Sequence, residues 1–319
     1  MSIRINNSLL KLLAACETQA YLRWGQELIW KEKQGAGPME VGQILHVALA
    51  AWLQGEEQST ILATFDAGWP VIIGDIPPQQ ARLQYANVRL CLQHWMAQQP
   101  RRDMNVLQTE TMFEVPLGTR NGEEIVYYGT PDTLVEWKGE KYIIDHKSTG
   151  DITDDWSAQW TMDSGLQGYV WGLRQLGHAV KGAFVNGIEV TRLPPWDGNL
   201  EKKCQTHKVK YKECQPVHVK GQWVGPLFWS DARLAQWKRD VLAQVGRLVW
   251  LRHEAGRDGL LDNVKMDGQW RWPGCNGGRG RAPCQYRGFC QAGRPVQGMQ
   301  QMMVHADWRR GVVVVEEEV

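Results

Sequence analysis

Apolar residues recur at helical spacing through the first third of the chain. Residues 39–54, MEVGQILHVALAAWLQ, set an apolar stripe around His46. Residues 78–99 carry Leu83, Val88, Leu90, Leu92 and Trp95 on one side. Residues 8–33 read as another amphipathic helix, capped by Ser8. The period then changes. Residues 106–117 partly alternate, Asn121-Gly122 supplies a turn, and residues 124–135 and 140–145 predict further strands separated by Lys138-Gly139. Tyr142-Ile143-Ile144 is fully apolar, as a central strand buried on both faces should be. Helical spacing returns over 158–176, strand patterns over 180–190 and 207–220, and a long helix runs from a cap at Ser230 to about residue 254. That helix turns Leu234, Trp237, Val241, Val245 and Leu248 inward.

The order of helices, strands, helix, strands and helix predicts an α/β fold on a mixed sheet. It divides the chain into an N-terminal helical region, 1–105, an α/β core, 106–255, a cysteine-rich loop, 256–295, and a tail, 296–319. The tail VVVVEEEV fits either an edge strand or disorder, and no internal repeat is visible.

The chemistry concentrates at the end of the apolar strand. In GTPDTLVEWKGEKYIIDHKSTG, Asp132 follows a Gly-Thr-Pro turn, Asp145 closes the apolar run, and Lys147 lies two residues on. Positions i and i+2 of a strand share a face, so Asp145 and Lys147 emerge together. If the neighbouring strands pair, Asp132 reaches the same spot. Two adjacent carboxylates repel one another and suit a hard divalent cation, Mg2+ or Mn2+. Such a cation activates water and neutralises phosphoryl charge, and a nearby lysine adds electrostatic stabilisation. Taken alone, an Asp-x-Lys triplet is more often a surface ion pair. Its place at the end of a buried strand distinguishes this one.

These residues resemble the core of the PD-(D/E)XK nuclease superfamily, in particular its RecB-like exonuclease branch. The resemblance rests on Gly129-x-x-Asp132, on Ile143-Ile144-Asp145-His146-Lys147, and on Gly42-x-x-x-His46 in an early helix. It implies a restriction-endonuclease-like fold, a mixed central sheet flanked by helices. It also implies a metal site formed by His46, Asp132, Asp145 and the backbone carbonyl of His146, with Lys147 assisting. An imidazole ligand favours Mn2+ somewhat over Mg2+. The family's first-strand glutamate is best matched by Glu110, with Glu114 on the same expected face as the alternative. Its Gln-x-x-x-Tyr motif, which holds DNA or braces the site, is met imperfectly. Gln167 has Trp171 four residues on, and Tyr169 only two on.

Seven cysteines fall at 16, 91, 204, 214, 275, 284 and 290. A disulfide framework is not expected in a large cytoplasmic chain. Cys275, Cys284 and Cys290 lie close together without the Cys-x2-Cys pair usual for structural zinc. With Cys16 they resemble the split arrangement of the iron–sulfur branch of these nucleases, implying a structural [4Fe–4S] cluster. Zinc on the same four cysteines, or plain buried cysteines, are the alternatives. Cys91, Cys204 and Cys214 read as ordinary apolar residues.

A net charge of +1 confines any basic surface to local clusters. Lys202, Lys203, His207, Lys208, Lys210 and Lys212 crowd one segment and Arg279, Arg281, Arg287 and Arg294 the cysteine loop. Both fit phosphate contacts, with Lys208 and Lys210 the central candidates, although a solvated face is the bland reading of any single lysine. Most of the 17 tryptophans should pack in the core; some could stack on bases. No run of eighteen apolar residues exists, so no membrane partner is expected. Leu13-Ala14-Ala15-Cys16 mimics a lipoprotein cleavage box, but the apolar run before it is short and Lys11 interrupts it. The expectation is therefore a cytoplasmic enzyme acting on DNA, with single-stranded ends, alongside recombination, repair, phage-replication or CRISPR-adaptation proteins. A non-catalytic DNA-binding or scaffold subunit with the same fold is the rival.

Overall fold

The computed structural model describes residues 2–16, 20, 28–30, 38–73, 78–99, 103–190, 199, 201–203, 208–210, 213, 220–258, 303–307 and 312–313. Two compact units interleave along the chain. One comprises Met1–Lys33, Glu114–Gly129 and Ala232–Val319, the other Gln34–Phe113 and Thr130–Asp231.

The first unit contains β1 (Ser2–Ile5), α1 (Asn7–Ala15), β2 (Leu28–Trp30), and a later β-hairpin over residues 113–129. The expected single helix over 8–33 is therefore a strand, a nine-residue helix and a further strand. Asn6, not Ser8, caps α1: its side-chain oxygen accepts from the Leu9 amide at 3.0 Å.

The second unit opens with α2 (Pro38–Leu53), α3 (Gln58–Ile73) and α4 (Pro78–Gln98). Helix α2 buries Val41, Ile44, Leu45, Ala48, Leu49 and Trp52, the stripe its sequence announces. Helix α3, which contains Pro70, has no counterpart among the expected elements. Then come β3 (Asn105–Thr109), β4 (Phe113–Arg120), β5 (Glu123–Gly129), β6 (Thr133–Trp137) and β7 (Glu140–Thr149). The two predicted strands over 106–117 and 124–135 are thus four, split at residues 110–112 and at the Gly-Thr-Pro-Asp turn. Both tight turns are as expected. Asn121 and Gly122 have φ of 49° and 79°, and Lys138 and Gly139 of 53° and 77°, the paired left-handed geometry of a two-residue hairpin.

After β7 the chain forms α5 (Asp154–Ala158), a 3-10 turn (Gln159–Met162), α6 (Ser164–Gln175), β8 (Val180–Glu189) and β9 (Gly221–Phe228). Thr153 and Asp163 cap α5 and α6 through their side chains, which breaks the helix expected over 158–176. The strand expected over 207–220 is not formed by its described residues; Lys210 makes only an isolated bridge with Lys203. Helix α7 (Asp231–Asp258) follows, then β10 (Met303–Asp307) and β11 (Val312–Val313).

In the first unit β1 pairs in parallel with β5 in the sheet β1-β5-β4, and β11-β10-β2 forms a second small sheet. Helix α7 packs Trp237 edge-on to Tyr127 at 5.2 Å, and Gln244 donates to the Leu10 carbonyl at 2.9 Å. The second unit carries the five-stranded mixed sheet β3-β6-β7-β8-β9. Strands β7 and β8 are parallel and their neighbours antiparallel. Its core joins α2, α3 and α4 to one sheet face through Val135, Tyr142, Ile144, Phe184 and Ile188. Each such side chain contributes roughly 1.5–3 kcal/mol on burial. Trp52 and Trp95 meet edge-on at 4.8 Å inside it.

Candidate active site

The β6–β7 hairpin assembles the site. Thr133 pairs with Ile144, so the register sets Asp132, one residue earlier, opposite Asp145. The Asp132 Oδ2 atom accepts from the His146 backbone N–H at 2.6 Å, which pins the turn to the strand end. Strand alternation then sorts the side chains. Asp145 and Lys147 share one face, and Lys147 Nζ lies 2.5 Å from Asp145 Oδ2. His146 points to the other face, is fully buried, and meets Asn186 of β8 across 3.0 Å from its Nδ1.

His46 arrives from α2. Its Nδ1 lies 3.4 Å from Asp132 Oδ1, and its ring centroid is 6.1 Å from that of His146. Gly42 sits one turn earlier in α2. A Cβ there would meet Ser148 Oγ at 3.6 Å, an ordinary contact, so the glycine brings the helix near the strand without being sterically required.

The electrostatics follow from burial against pairing. Burial opposes charge on Asp132, but the hydrogen bond and charge of His46 outweigh it and hold the carboxyl down at about 2. Burial likewise opposes protonation of His46, and Asp132 reverses the balance to raise its pKa. Asp145 is 5% exposed, and its desolvation pushes its pKa up despite Lys147. Burial works against the Lys147 ammonium, yet Asp145 and Asp132 keep its pKa raised. His146 falls to about 3 because it is desolvated, and is therefore neutral.

Of the other residues singled out by sequence, Glu110 is exposed, outside β3, with a φ of 46°. It is a turn residue rather than a strand residue, and its backbone N–H donates to the Asp132 carbonyl at 2.9 Å. Glu114 belongs to β4 of the first unit, where it forms an ion pair with Arg4, so the two glutamates do not share a strand face. Gln167 and Trp171 do share a face of α6, and both are buried. The Gln167 amide donates to the Asp163 carbonyl at 3.3 Å. Tyr169 is half-buried, edge-on to Phe113, and burial with the charges of Asp145, Asp132 and Asp163 raises its pKa. Lys208 is exposed and Lys210 pairs with Glu201 at 2.7 Å. Cys16 is half-buried and free at the end of α1, whereas Cys275, Cys284 and Cys290 lie outside the described residues.

Two residues were missed by sequence reading. Asn186 is a lone amide in the apolar run AFVNGIEV, and that break was its signal. Asp163 caps α6 and acts on both Lys147 and Tyr169; only its capping position before Ser-Gly was legible.

The donors are oxygen-rich with one imidazole: the buried Asp145 carboxylate and the half-buried Asp132 carboxylate lie at the open end of the β6–β7 pairing, a set that fits a hard divalent cation. As placed, Asp145 is turned to Lys147 and Asp132 to His46. Among the described residues no three His, Cys, Asp or Glu side chains converge on one point.

No curated protein matches the chain. Among solved structures, one described as "Crystal structure of SSO0001" is 11% identical over 76% of this chain and 77% of its own, with a TM-score of 0.36. The family model described as the PD-(D/E)XK nuclease superfamily matches residues 4–291. With a match over most of its length, the chain belongs to the PD-(D/E)XK nuclease superfamily.

Proposed function

We propose that this nuclease is a metal-dependent DNA exonuclease of the RecB-like type that degrades DNA from single-stranded ends. The observation that carries the reading is the register of β6 against β7, with Asp132 opposite Asp145 and Lys147 on the Asp145 carboxylate. Nucleases of this superfamily typically use Mg2+ or Mn2+, and DNA is the substrate the family implies. Asp132, Asp145, the His46 imidazole and the His146 carbonyl would hold the cation. When bound, it lowers the pKa of a water and withdraws charge from a phosphoryl oxygen. Lys147 orients the attacking water and meets the negative charge that develops on phosphorus-bound oxygen, a contribution worth roughly 10²–10³ in rate. In the metal-free protein the hydrogen bond and charge of His46 outweigh burial and hold the Asp132 carboxyl near 2. Glu110, tied to the Asp132 carbonyl, supports the turn. The half-buried Tyr169 on α6, with Lys208 and Lys210, is a candidate DNA contact, while Gln167 and Trp171, both buried, would brace the site.

Cys16, Cys275, Cys284 and Cys290 are proposed to bind a structural [4Fe–4S] cluster, supported by their spacing and by the absence of a Cys-x2-Cys pair in the sequence. Four ligands so far apart would close a very long loop. Recombination, repair, phage replication and CRISPR adaptation are the settings such an activity serves. No helix among the described residues is long and apolar enough to cross a membrane.

The rival, a non-catalytic DNA-binding subunit, has one observation in its favour: the side chains do not converge as a three-ligand set among the described residues. A single experiment separates them. Linear and circular labelled single strands are incubated with Mn2+ and either the wild type or Asp145→Ala. The proposal expects shortening of linear strands only, abolished by the substitution. Equal activity of the two proteins defeats the catalytic assignment, and cutting of circles defeats the exonuclease one.

A further inference from the structure

We propose that Asn186 is a positioning residue of the acid–lysine site, acting through the His146 ring; the inference rests on the cation-binding reading above. Strand β7 is paired with β6 only as far as Ile144, opposite Thr133. Its pairing with β8 continues through Thr149, opposite Glu189. The segment that bears Asp145 and Lys147 is therefore held in the sheet on one side, by β8. Asn186 is the residue of β8 directly beside His146, and its amide lies 3.0 Å from the ring nitrogen Nδ1. Both side chains are fully buried.

His146 touches the rest of the site at several points. Its backbone N–H holds Asp132 at 2.6 Å, its neighbours in the chain are Asp145 and Lys147, and its ring borders that of His46. A bond that fixes the His146 ring thus fixes the strand segment from which the carboxylates and the ammonium project. Either orientation of the Asn186 amide preserves the bond and changes only which ring nitrogen carries the proton. Stability alone gives no reason for the pair, because two apolar groups of the same shape would fill the space at nearly equal free energy. Orientation does give a reason, since partners one shell removed from a metal site commonly govern affinity by 10–100-fold.

The test uses the full chain and compares wild type, Asn186→Leu and Val88→Ala, the last truncating a buried residue of α4 in the same core. Hydrogen–deuterium exchange of the metal-free proteins reports segment 145–147, and Mn2+ titration followed by electron paramagnetic resonance reports binding. Asn186→Leu is expected to accelerate exchange in that segment and to raise the Mn2+ half-saturation about tenfold, with neither change in Val88→Ala. If Asn186→Leu matches Val88→Ala in either measurement, the inference is overturned. A wild type that binds no Mn2+ overturns the cation reading instead, and exchange still judges Asn186 alone. Should leucine at 186 prevent folding, Asn186→Ser, too short to reach Nδ1, is measured in the same way with the same two outcomes.

Discussion

Replacing Lys147 by methionine isolates the electrostatics of the strand end. The substitution keeps most of the side-chain volume and removes the ammonium that lies 2.5 Å from Asp145 Oδ2. Asp145, only 5% exposed, is left ionised without its partner. Deleting one member of a buried pair typically costs about 3–5 kcal/mol. The lysine side chain here is 34% exposed, so solvent screens part of the interaction and about 2–3 kcal/mol is the expected loss. Asp145 can escape the loss by taking up a proton. Its pKa is already raised by burial, and removing Lys147 raises it further. An acid whose folded pKa lies above its unfolded one binds more protons when folded, so its presence lowers stability as pH rises between the two values. The deficit of Lys147→Met should therefore be small near pH 4, close to the ordinary aspartate pKa, and grow to its full size on the alkaline side. Urea unfolding of metal-free protein in a chelator, at a series of pH values, measures it. A Lys147→Met protein as stable as wild type at alkaline pH, or a deficit that does not vary with pH, refutes the pairing.

His46→Gln should show a different pH signature. The raised pKa of His46 gives stability that is complete below 6.5 and fades as pH rises through the raised value, while Asp132, held near 2, contributes fully above 3.8. The wild-type advantage, about 1.5–3 kcal/mol for a charge-assisted bond, should thus peak between pH 3.8 and 6.5 in metal-free protein; a flat difference in urea midpoints would contradict it. Gly187→Ala would drive a methyl to 2.3 Å from the Trp156 ring, so overpacking of about 1–3 kcal/mol should lower Tm by calorimetry. An unchanged Tm would mean that the Trp156 ring does not lie against Gly187. The purified protein should absorb at about 400 nm through sulfur-to-iron charge transfer, and Cys284→Ser should bleach it. A colourless protein that retains zinc would reject the cluster.

Much of the site was legible because its signals are local. Period-two alternation put Asp145 and Lys147 on one face, and the Lys138-Gly139 turn forced β6 and β7 into a register that sets Asp132 opposite Asp145. The apolar stripe of α2 marked the helix that carries His46. What escaped depended on long-range pairing. The alternation over 106–117 looks continuous, yet Glu110 takes a left-handed φ and the strands on either side join different sheets. Asn186 interrupts an apolar strand, and only the parallel pairing of β8 with β7 sets it beside His146. The break at Asp163 was hidden because helical spacing of apolar residues runs through it, and only the side-chain cap reveals the new start.

The claim on which the account turns is that Asp132 and Asp145 share one cation. Anomalous scattering from crystals soaked in Mn2+ tests it directly. The account predicts a peak within coordination distance of both carboxylates and of His46. No peak there, or one bound by either carboxylate without the other, would contradict it.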